Sequence, residues 1–217
     1  MAFKVEVWGE YACFSRPEMK VERVSYDVIT PSAARGLLDA IYFHNGMRWV
    51  IEKIHVLNPV KFAHIRRNEV KSKASVRRAY EMASGGTQPM FISTSEDIQQ
   101  RAAMVLRDVR YVIEAHFVLV PERMNPGDNE GKFCDIIKRR LARGQCYHMP
   151  CFGTREFPAH FRAWEGGDIP TAYDDEKDLG FMLYDLDYTD PENITPMFFR
   201  AALRRGVLNL EDCEVFR

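Results

Sequence analysis

One histidine stands at a strand position where it is suited to proton transfer. From residue 109 to residue 119 the pattern of side chains predicts a strand, and the odd-numbered residues supply its core face. His116 is therefore expected on the opposite face, near Glu114. Imidazoles exchange protons near neutral pH, so a histidine held there can act on a hydroxyl group or a leaving oxygen. From the residues alone, an ordinary surface histidine is the simpler interpretation.

The cysteines give a second group that could do chemistry. Cys146, His148 and Cys151 are close in sequence, but as metal ligands they need a fourth partner, and their spacing matches no common zinc pattern. The cysteine count of five is odd, and no C-x-x-C pair occurs. Ordinary reduced thiols are therefore the favoured interpretation, with a metal site as the alternative.

Two further segments resemble ligand-binding motifs only weakly. The run from Gly127 to Lys132 is one residue too short for a nucleotide-binding P-loop and has Phe133 where a magnesium-binding Ser or Thr would stand. Lys132 and the free amides of a helix start can meet a phosphate, although simple helix capping explains them equally well. The acidic run at 174–178 is interpreted as a solvated loop rather than a paired-carboxylate metal site.

The formal net charge of −1 hides a strong segregation of charge. Residues 165–192 contain ten Asp or Glu and a single Lys, which leaves +8 on the rest of the chain. Residues 61–80 contain seven Lys or Arg and one acid. Poor periodicity from about 68 to 94, with Ser84-Gly85-Gly86-Thr87, predicts a projecting hairpin or mobile loop, which can close over a polyanion. A solvated basic face is the alternative.

The order of the predicted elements indicates the fold. Thr30 is a good helix N-cap, Pro31 suits the first helical position, and Asn45-Gly46 suits a left-handed stop. The predicted elements are a strand at 3–8, a helix at 31–43, strands at 48–57 and 109–120, a helix at 130–143 and a strand within 146–164. This βαβ–βαβ order predicts an α+β fold of the ferredoxin-like or RRM type, with a four-stranded antiparallel sheet backed by two helices.

A change in composition after residue 164 predicts that the chain forms two domains. Residues 1–164 form the RRM-like domain, with a basic hairpin insertion at about 61–107, and residues 165–217 form a small carboxy-terminal antiparallel β subdomain. With 217 residues, of which 46% are hydrophobic, the chain can bury a real core. It contains neither a long apolar run nor a signal-peptide pattern, so a cytoplasmic protein without membrane contact is expected.

Several of these segments, in this order and spacing, resemble one family. The chain is similar to the subtype I-C CRISPR precursor-RNA endonucleases, which are Cascade subunits of the repeat-associated RNA-binding (RAMP) superfamily. The resemblance spans nearly the whole chain. It is carried by the segments 3–9, 11–14, 25–42, 108–117, 129–132, 152–156 and 179–187.

The resemblance implies a function. It implies a metal-independent endoribonuclease without a cofactor that cuts precursor CRISPR RNA beside the repeat hairpin, leaving a 2′,3′-cyclic phosphate and a 5′-hydroxyl. The protein would then remain on the 5′ handle with other Cascade subunits, and DNA is a further candidate ligand. The essential residues of the family match Tyr42 and His116, with His44 nearby. RNA contacts are expected in the basic hairpin and at the second helix, namely Arg66, Arg67, Lys71, Lys73, Arg77, Arg78 and Lys132.

The sequence departs from the family pattern at one position. The family has a lysine immediately before the histidine, where this chain has Ala115 preceded by Glu114. A lysine would help to stabilise the charge that develops on the phosphate in the transition state. Lys53 or a hairpin arginine can take that role. The alternative function is a non-catalytic RNA-binding assembly subunit of the same complex.

Overall fold

The chain folds around one large sheet. The computed structural model describes residues 2–19, 21–87 and 91–217. Within these ranges it has three α-helices, one turn of 3-10 helix (Pro121–Arg123) and ten strands. The helices are α1 (Pro31–Ile41), α2 (Val76–Ala83) and α3 (Glu130–Arg143). The strands are β1 (Phe3–Ala12), β2 (Arg23–Val24), β3 (Met47–Val56), β4 (Phe62–Val70), β5 (Ile98–Leu119), β6 (His160–Ala163), β7 (Glu176–Asp187), β8 (Thr195–Arg204), β9 (Val207–Asn209) and β10 (Val215–Phe216).

Helix α1 begins as the sequence predicts. The Thr30 hydroxyl accepts a hydrogen bond from the Ala33 N–H at 3.2 Å, and Pro31 occupies the first helical position. The predicted left-handed stop at Asn45-Gly46 is wrong, because neither residue has a positive φ. The helix ends instead at Tyr42, whose backbone is extended and whose carbonyl accepts a hydrogen bond from the Trp49 indole at 3.0 Å.

Helix α3 confirms the predicted bounds. The Asn129 side chain accepts a hydrogen bond from the Lys132 N–H at 2.9 Å, and Gly144 ends the helix in the left-handed conformation with φ 62°. Phe133, Ile137 and Leu141 are buried at helical spacing. Helix α3 therefore packs against the sheet next to α1.

The sheet is antiparallel apart from the short pairing of β2 with β5. Its strand order is β10-β8-β9-β3-β5-β1-β6, while β2 and β4 also pair with β5 and β7 pairs with β8. The carboxy-terminal strands join the rest through β9, which pairs with β3 between Asn209 and Lys53. They therefore extend the same sheet.

Strand β5 is much longer than the strand predicted at 109–120. It has 22 residues and begins at Ile98. Its second half pairs with β1 and β3, and its first half pairs with β4. Along one edge of β5, the partner strand is β4 up to residue 106 and β3 from residue 111 onwards. Asp108, with φ 55°, lies between these two pairings. The earlier start was not predicted because residues 98–104 carry little buried apolar surface.

The two faces of the central strands differ. Odd-numbered residues of the second half of β5 pack into the core with α1 and α3, as predicted, and Phe3, Val5 and Val7 of β1 do the same. The other side, which we call the open face, carries polar side chains from four neighbouring strands. They are Lys4, Glu6, Trp8, Lys53, His55, Arg110, Glu114, His116, His160 and Arg162.

The basic insertion is a hairpin of β4 and the first half of β5, with α2 near its tip. Helix α2 has no buried residue, and Val76 and Tyr80 are 76% and 75% exposed. The sequence analysis missed this helix, although Ser75 is a good N-cap and accepts a hydrogen bond from the Arg78 N–H. Residues 88–90 of the predicted loop lie outside the described residues.

Among the helices of the described ranges, none is both long enough and apolar enough to cross a membrane.

The cap of α1 gives a stability prediction. Replacing Thr30 with Ala removes the acceptor of the Ala33 N–H, so the free energy of unfolding should fall by about 1 kcal/mol. Chemical denaturation followed by circular dichroism measures this change. The control is Thr87→Ala, at an exposed loop position, which should change stability by less than about 0.5 kcal/mol. Equal stability of both variants and the parent protein would contradict the capping role.

Candidate active site

His116 lies on the open face, as predicted, with an oriented imidazole. Its Nδ1 is 2.6 Å from Glu52 Oε1, and its side chain is 33% exposed. A register shift in β3 between Ile51 and Lys53 places Glu52 beside it. Because an ionised carboxylate only accepts hydrogen bonds, Nδ1 carries the proton. With Nδ1 engaged by Glu52, Nε2 is the ring nitrogen that remains for proton exchange.

Glu114 stands on the same face, two residues before His116. Its Oε1 is 2.8 Å from His55 Nε2 and 3.4 Å from Lys4 Nζ. Burial lowers the pKa of His55, and the hydrogen bond to Glu114 only partly opposes that effect. Glu114 is thus held by His55 and Lys4.

Ala115 faces the core and is fully buried. Since successive side chains of a strand point to opposite faces, a lysine at this position would enter the core rather than approach His116. Any cation that assists His116 must therefore come from another position. Lys53, proposed for this role from the sequence, does lie on the open face, where it pairs with Glu211 at 3.1 Å.

Tyr42 lies on the other side of the sheet. It follows the last residue of α1, is 6% exposed, and packs its ring 6.3 Å from that of Phe133 between centroids. The Arg140 guanidinium carbon is 5.0 Å from the centroid of the Tyr42 ring. Burial raises the pKa of Tyr42. The structure therefore does not bring Tyr42 and His116 together, because Tyr42 packs with the core helices and His116 points to the open face.

His44 and Lys132 lie near Tyr42 instead. The His44 ring centroid is 4.8 Å from that of Phe133, and its Nδ1 accepts a hydrogen bond from the Gly46 N–H at 3.0 Å. Its Nε2 is 3.4 Å from Asp128 Oδ2, and Lys132 Nζ is 2.8 Å from Asp128 Oδ1. The Lys132 hydrogen bond lowers the pKa of Asp128. Lys132 thus has an intramolecular carboxylate partner.

The basic hairpin residues fall into two groups. Two of them have carboxylate partners: Arg67 pairs with Glu156 and lies over the Phe157 ring, and Arg77 pairs with Glu81 at 3.0 Å. The other four are exposed and, among the described residues, have no ion pair. They are Arg66, Lys71, Lys73 and Arg78.

The three candidate metal ligands do not form a site. Within the described ranges, no three His, Cys, Asp or Glu side chains are arranged to hold a metal ion. The thiols of Cys146 and Cys151 are free and partly buried. Burial raises the pKa of the Cys151 thiol.

The sequence analysis missed a charged cluster on the open face. Glu6 is paired with Arg110 and Arg162, which are 104 and 156 residues away in the chain. The alternation of polar with apolar residues in β1 indicates a polar sheet face, but it does not identify partners so far away. The cluster therefore emerges only from the strand pairing.

Comparison with known proteins identifies the family. The model of the family described as "CRISPR-associated protein (Cas_Cas5)" matches residues 2–211. This chain belongs to that family. It is similar to two curated proteins named "CRISPR pre-crRNA endoribonuclease Cas5d". One, from Mannheimia succiniciproducens, is 47% identical over 213 residues, covering 95% of this chain and 93% of the relative. The other, from Thermus thermophilus, is 41% identical over 224 residues, covering 95% and 90%.

A solved structure shares the fold of this family member. The structure described as "Crystal Structure of CRISPR-associated Protein" aligns with a TM-score of 0.72 at 24% identity, covering 100% of this chain and 97% of that chain. At this identity the likeness concerns the fold alone.

The burial of Ala115 gives a second prediction. Ala115→Lys places an unpaired ammonium in the core, so the free energy of unfolding should fall by about 3 kcal/mol or more. Val118→Lys is the matched control, because Val118 is 36% exposed on the same strand and should tolerate a lysine within about 0.5 kcal/mol. Denaturant titration of both variants measures the difference. Equal stability would show that position 115 can turn its side chain to the solvent.

Proposed function

We propose that this protein is an endoribonuclease that cuts precursor CRISPR RNA beside the repeat hairpin. In this proposal it then stays on the 5′ handle as a subunit of the Cascade interference complex and acts in the cytoplasm. The observation that carries the proposal is the 47% identity, over 95% of the chain, to a relative named as a pre-crRNA endoribonuclease. The oriented imidazole of His116 on an open sheet face supports it.

The proposed architecture is a ferredoxin-like or RRM-type domain over residues 1–164. Its support is the antiparallel order β6-β1-β5-β3, in which α1 follows β1 and α3 follows β5. The hairpin of β4, α2 and the first half of β5 is the basic insertion of about 61–107. Residues 165–217 are the proposed carboxy-terminal β subdomain, which is linked to the first by the β3–β9 pairing.

The proposed reaction needs no metal. The 2′-hydroxyl of the substrate attacks the adjacent phosphorus, the bond to the 5′-oxygen breaks, and the products carry a 2′,3′-cyclic phosphate and a 5′-hydroxyl. The protein must accept the proton of the 2′-hydroxyl, protonate the leaving oxygen and stabilise charge on the phosphate. His116 Nε2, with Nδ1 held by Glu52, is suited to one of the two proton transfers.

Tyr42 is the second proposed proton-handling residue. Its buried ring is fixed by Phe133 and Arg140, and the cation of Lys132 lies near it on the first turn of α3. Since Tyr42 and His116 lie on opposite sides of the sheet, the two roles must be tested separately. This separation also favours the alternative function, a non-catalytic crRNA-binding subunit, because no single described cluster contains both groups.

Cleavage products test the proposed function. Cognate repeat RNA should be cut in excess EDTA to a 2′,3′-cyclic phosphate and a 5′-hydroxyl, while RNA lacking the 2′-hydroxyl at the cut should survive. His116→Ala and Tyr42→Phe should each slow single-turnover cutting by roughly 10²–10⁴-fold if they transfer protons. Affinity for RNA should remain nearly unchanged. Gel-resolved cleavage and filter binding measure the two effects.

His148→Ala is the control for these substitutions, because His148 is an exposed histidine outside the basic hairpin. It should cut at the parent rate. Parent-like cutting by His116→Ala or by Tyr42→Phe would remove that residue from the mechanism. Failure of the unmodified protein to cut the correct repeat would favour the non-catalytic subunit.

The hairpin cations give a prediction for RNA affinity. Replacing Arg66, Lys71, Lys73 and Arg78 together with Ala should weaken RNA binding and flatten its salt dependence, because fewer counterions are released. The slope of log K against log salt should fall in magnitude by roughly 0.7–0.9 for each phosphate that the variant no longer neutralises.

Arg67 is left in place in this variant because it pairs with Glu156 and its removal would disturb the hairpin. The matched control replaces four exposed cations outside the hairpin, which are Arg123, Lys138, Arg139 and Arg143. Affinity and salt slope equal to those of the unmodified protein would identify the hairpin as a merely solvated basic surface.

A further inference from the structure

An aromatic and cationic surface lies on the open face, away from His116. The Trp8 ring stacks on the His160 ring, with centroids 5.7 Å apart and an interplanar angle of 25°. The Arg162 guanidinium carbon is 5.4 Å from the centroid of the Trp8 ring. The three side chains come from the paired strands β1 and β6. We call this set the Trp8 platform.

The platform is held by a buried carboxylate. Glu6 is only 1% exposed, and its two oxygens separately accept hydrogen bonds from Arg110 and Arg162, with N–O distances of 2.5–2.6 Å. Burial raises the pKa of Glu6, but the hydrogen bonds from Arg162 and Arg110 outweigh it and lower the pKa overall. The carboxylate therefore remains ionised and fixes both guanidinium groups.

The cluster presents its two guanidinium groups to solvent. Two guanidinium groups surround one carboxylate, and the Arg110 and Arg162 side chains are 42% and 60% exposed. A cleft of about 400 Å³ lies beside Arg162 and is also lined by Glu6, Trp164 and Glu165. Nucleic-acid bases can stack on aromatic rings of this kind, while their phosphates lie near the fixed cations. The adjacent cleft leaves room for such a strand.

The platform and His116 share one face of the sheet. Arg110 stands opposite Trp8 in the strand pairing, and His116 follows six residues later on the same side of β5. At about 3.3 Å per strand residue the separation is on the order of 20 Å. A single strand can therefore run from His116 to Trp8 along β5 without crossing the sheet.

We propose that the Trp8 platform binds unpaired bases of the single-stranded RNA that flanks the repeat hairpin. This inference rests on the proposed function, since it takes precursor RNA as the ligand. Stacking by Trp8, His160 and Arg162 accepts any base, so the platform holds the flank irrespective of its sequence. Its role is to keep the strand on the open face beside His116.

The test compares two RNAs and three variants of the full chain. One RNA is the repeat hairpin alone, and the other carries a single-stranded flank on each side. Trp8→Leu should weaken binding of the flanked RNA by roughly 5- to 100-fold and leave the affinity for the bare hairpin unchanged. Trp8→Tyr should retain most of the affinity, because the aromatic face is kept. Phe181→Leu is the control, since Phe181 is 58% exposed on β7.

Each outcome decides the proposal. A selective decrease of flanked-RNA affinity in Trp8→Leu, with Trp8→Tyr near the parent value, supports the platform. Equal affinity of Trp8→Leu and the parent for both RNAs overturns it, and so does an equal decrease for both RNAs. If Trp8→Leu does not fold by thermal melting, His160→Ala replaces it with the same expected selectivity.

The platform and the proposed function fail in distinguishable ways. Correct cutting by the unmodified protein, with affinity independent of the flank, rejects the platform alone. Flank-dependent binding that requires Trp8, without any cutting, rejects the endonuclease and keeps the platform. A Trp8→Leu defect that appears only in assembly with purified partner subunits, and not in RNA binding, assigns the surface to a protein and overturns the RNA proposal.

Discussion

Backbone pairing along both edges of β5 is the interaction on which the rest of the structure depends. One edge pairs with β1, and the other pairs first with β4 and then with β3. A slip of one residue would turn Ile113 and Ala115 out of the core and turn Glu114 and His116 into it. The cost of burying those polar groups fixes the register. The burial of the core face therefore determines where the candidate histidine stands.

The parts of the fold that bury an apolar stripe were predictable from the sequence. The helix start at Thr30-Pro31 and all of α3 agree with the prediction, because capping side chains and buried residues at helical spacing act locally. The face of His116 also agrees, since alternation within one strand needs no knowledge of its partners. The end of α1 was predicted incorrectly, because the contact of Trp49 with the Tyr42 carbonyl is a tertiary one.

Solvated elements and distant pairs were not predictable in this way. Helix α2 has only eight residues and buries none of them, and the first half of β5 buries little apolar surface, so packing against the core does not predict either element although their backbones are regular. The contacts of Glu6 join β1, β5 and β6, and they depend on a strand order that composition does not reveal. The placement of Tyr42 and His116 on opposite sides of the sheet was not predictable either. It depends on which face of the sheet α1 packs against, and the sequence of neither residue's own element reveals that face.

The absence of a lysine next to His116 does not remove positive charge from the open face. A side chain at position 115 points into the core, so a cation near His116 has to come from a neighbouring strand. Lys4 of β1 and Lys53 of β3 both meet this requirement. Lys53 is hydrogen-bonded to Glu211, which raises the pKa of Lys53 and keeps its ammonium charged. Exposed ion pairs of this kind contribute little to stability, so a phosphate can replace the carboxylate partner at small cost. Strand pairing thus places two ammonium groups on the face that carries His116, each with a carboxylate partner.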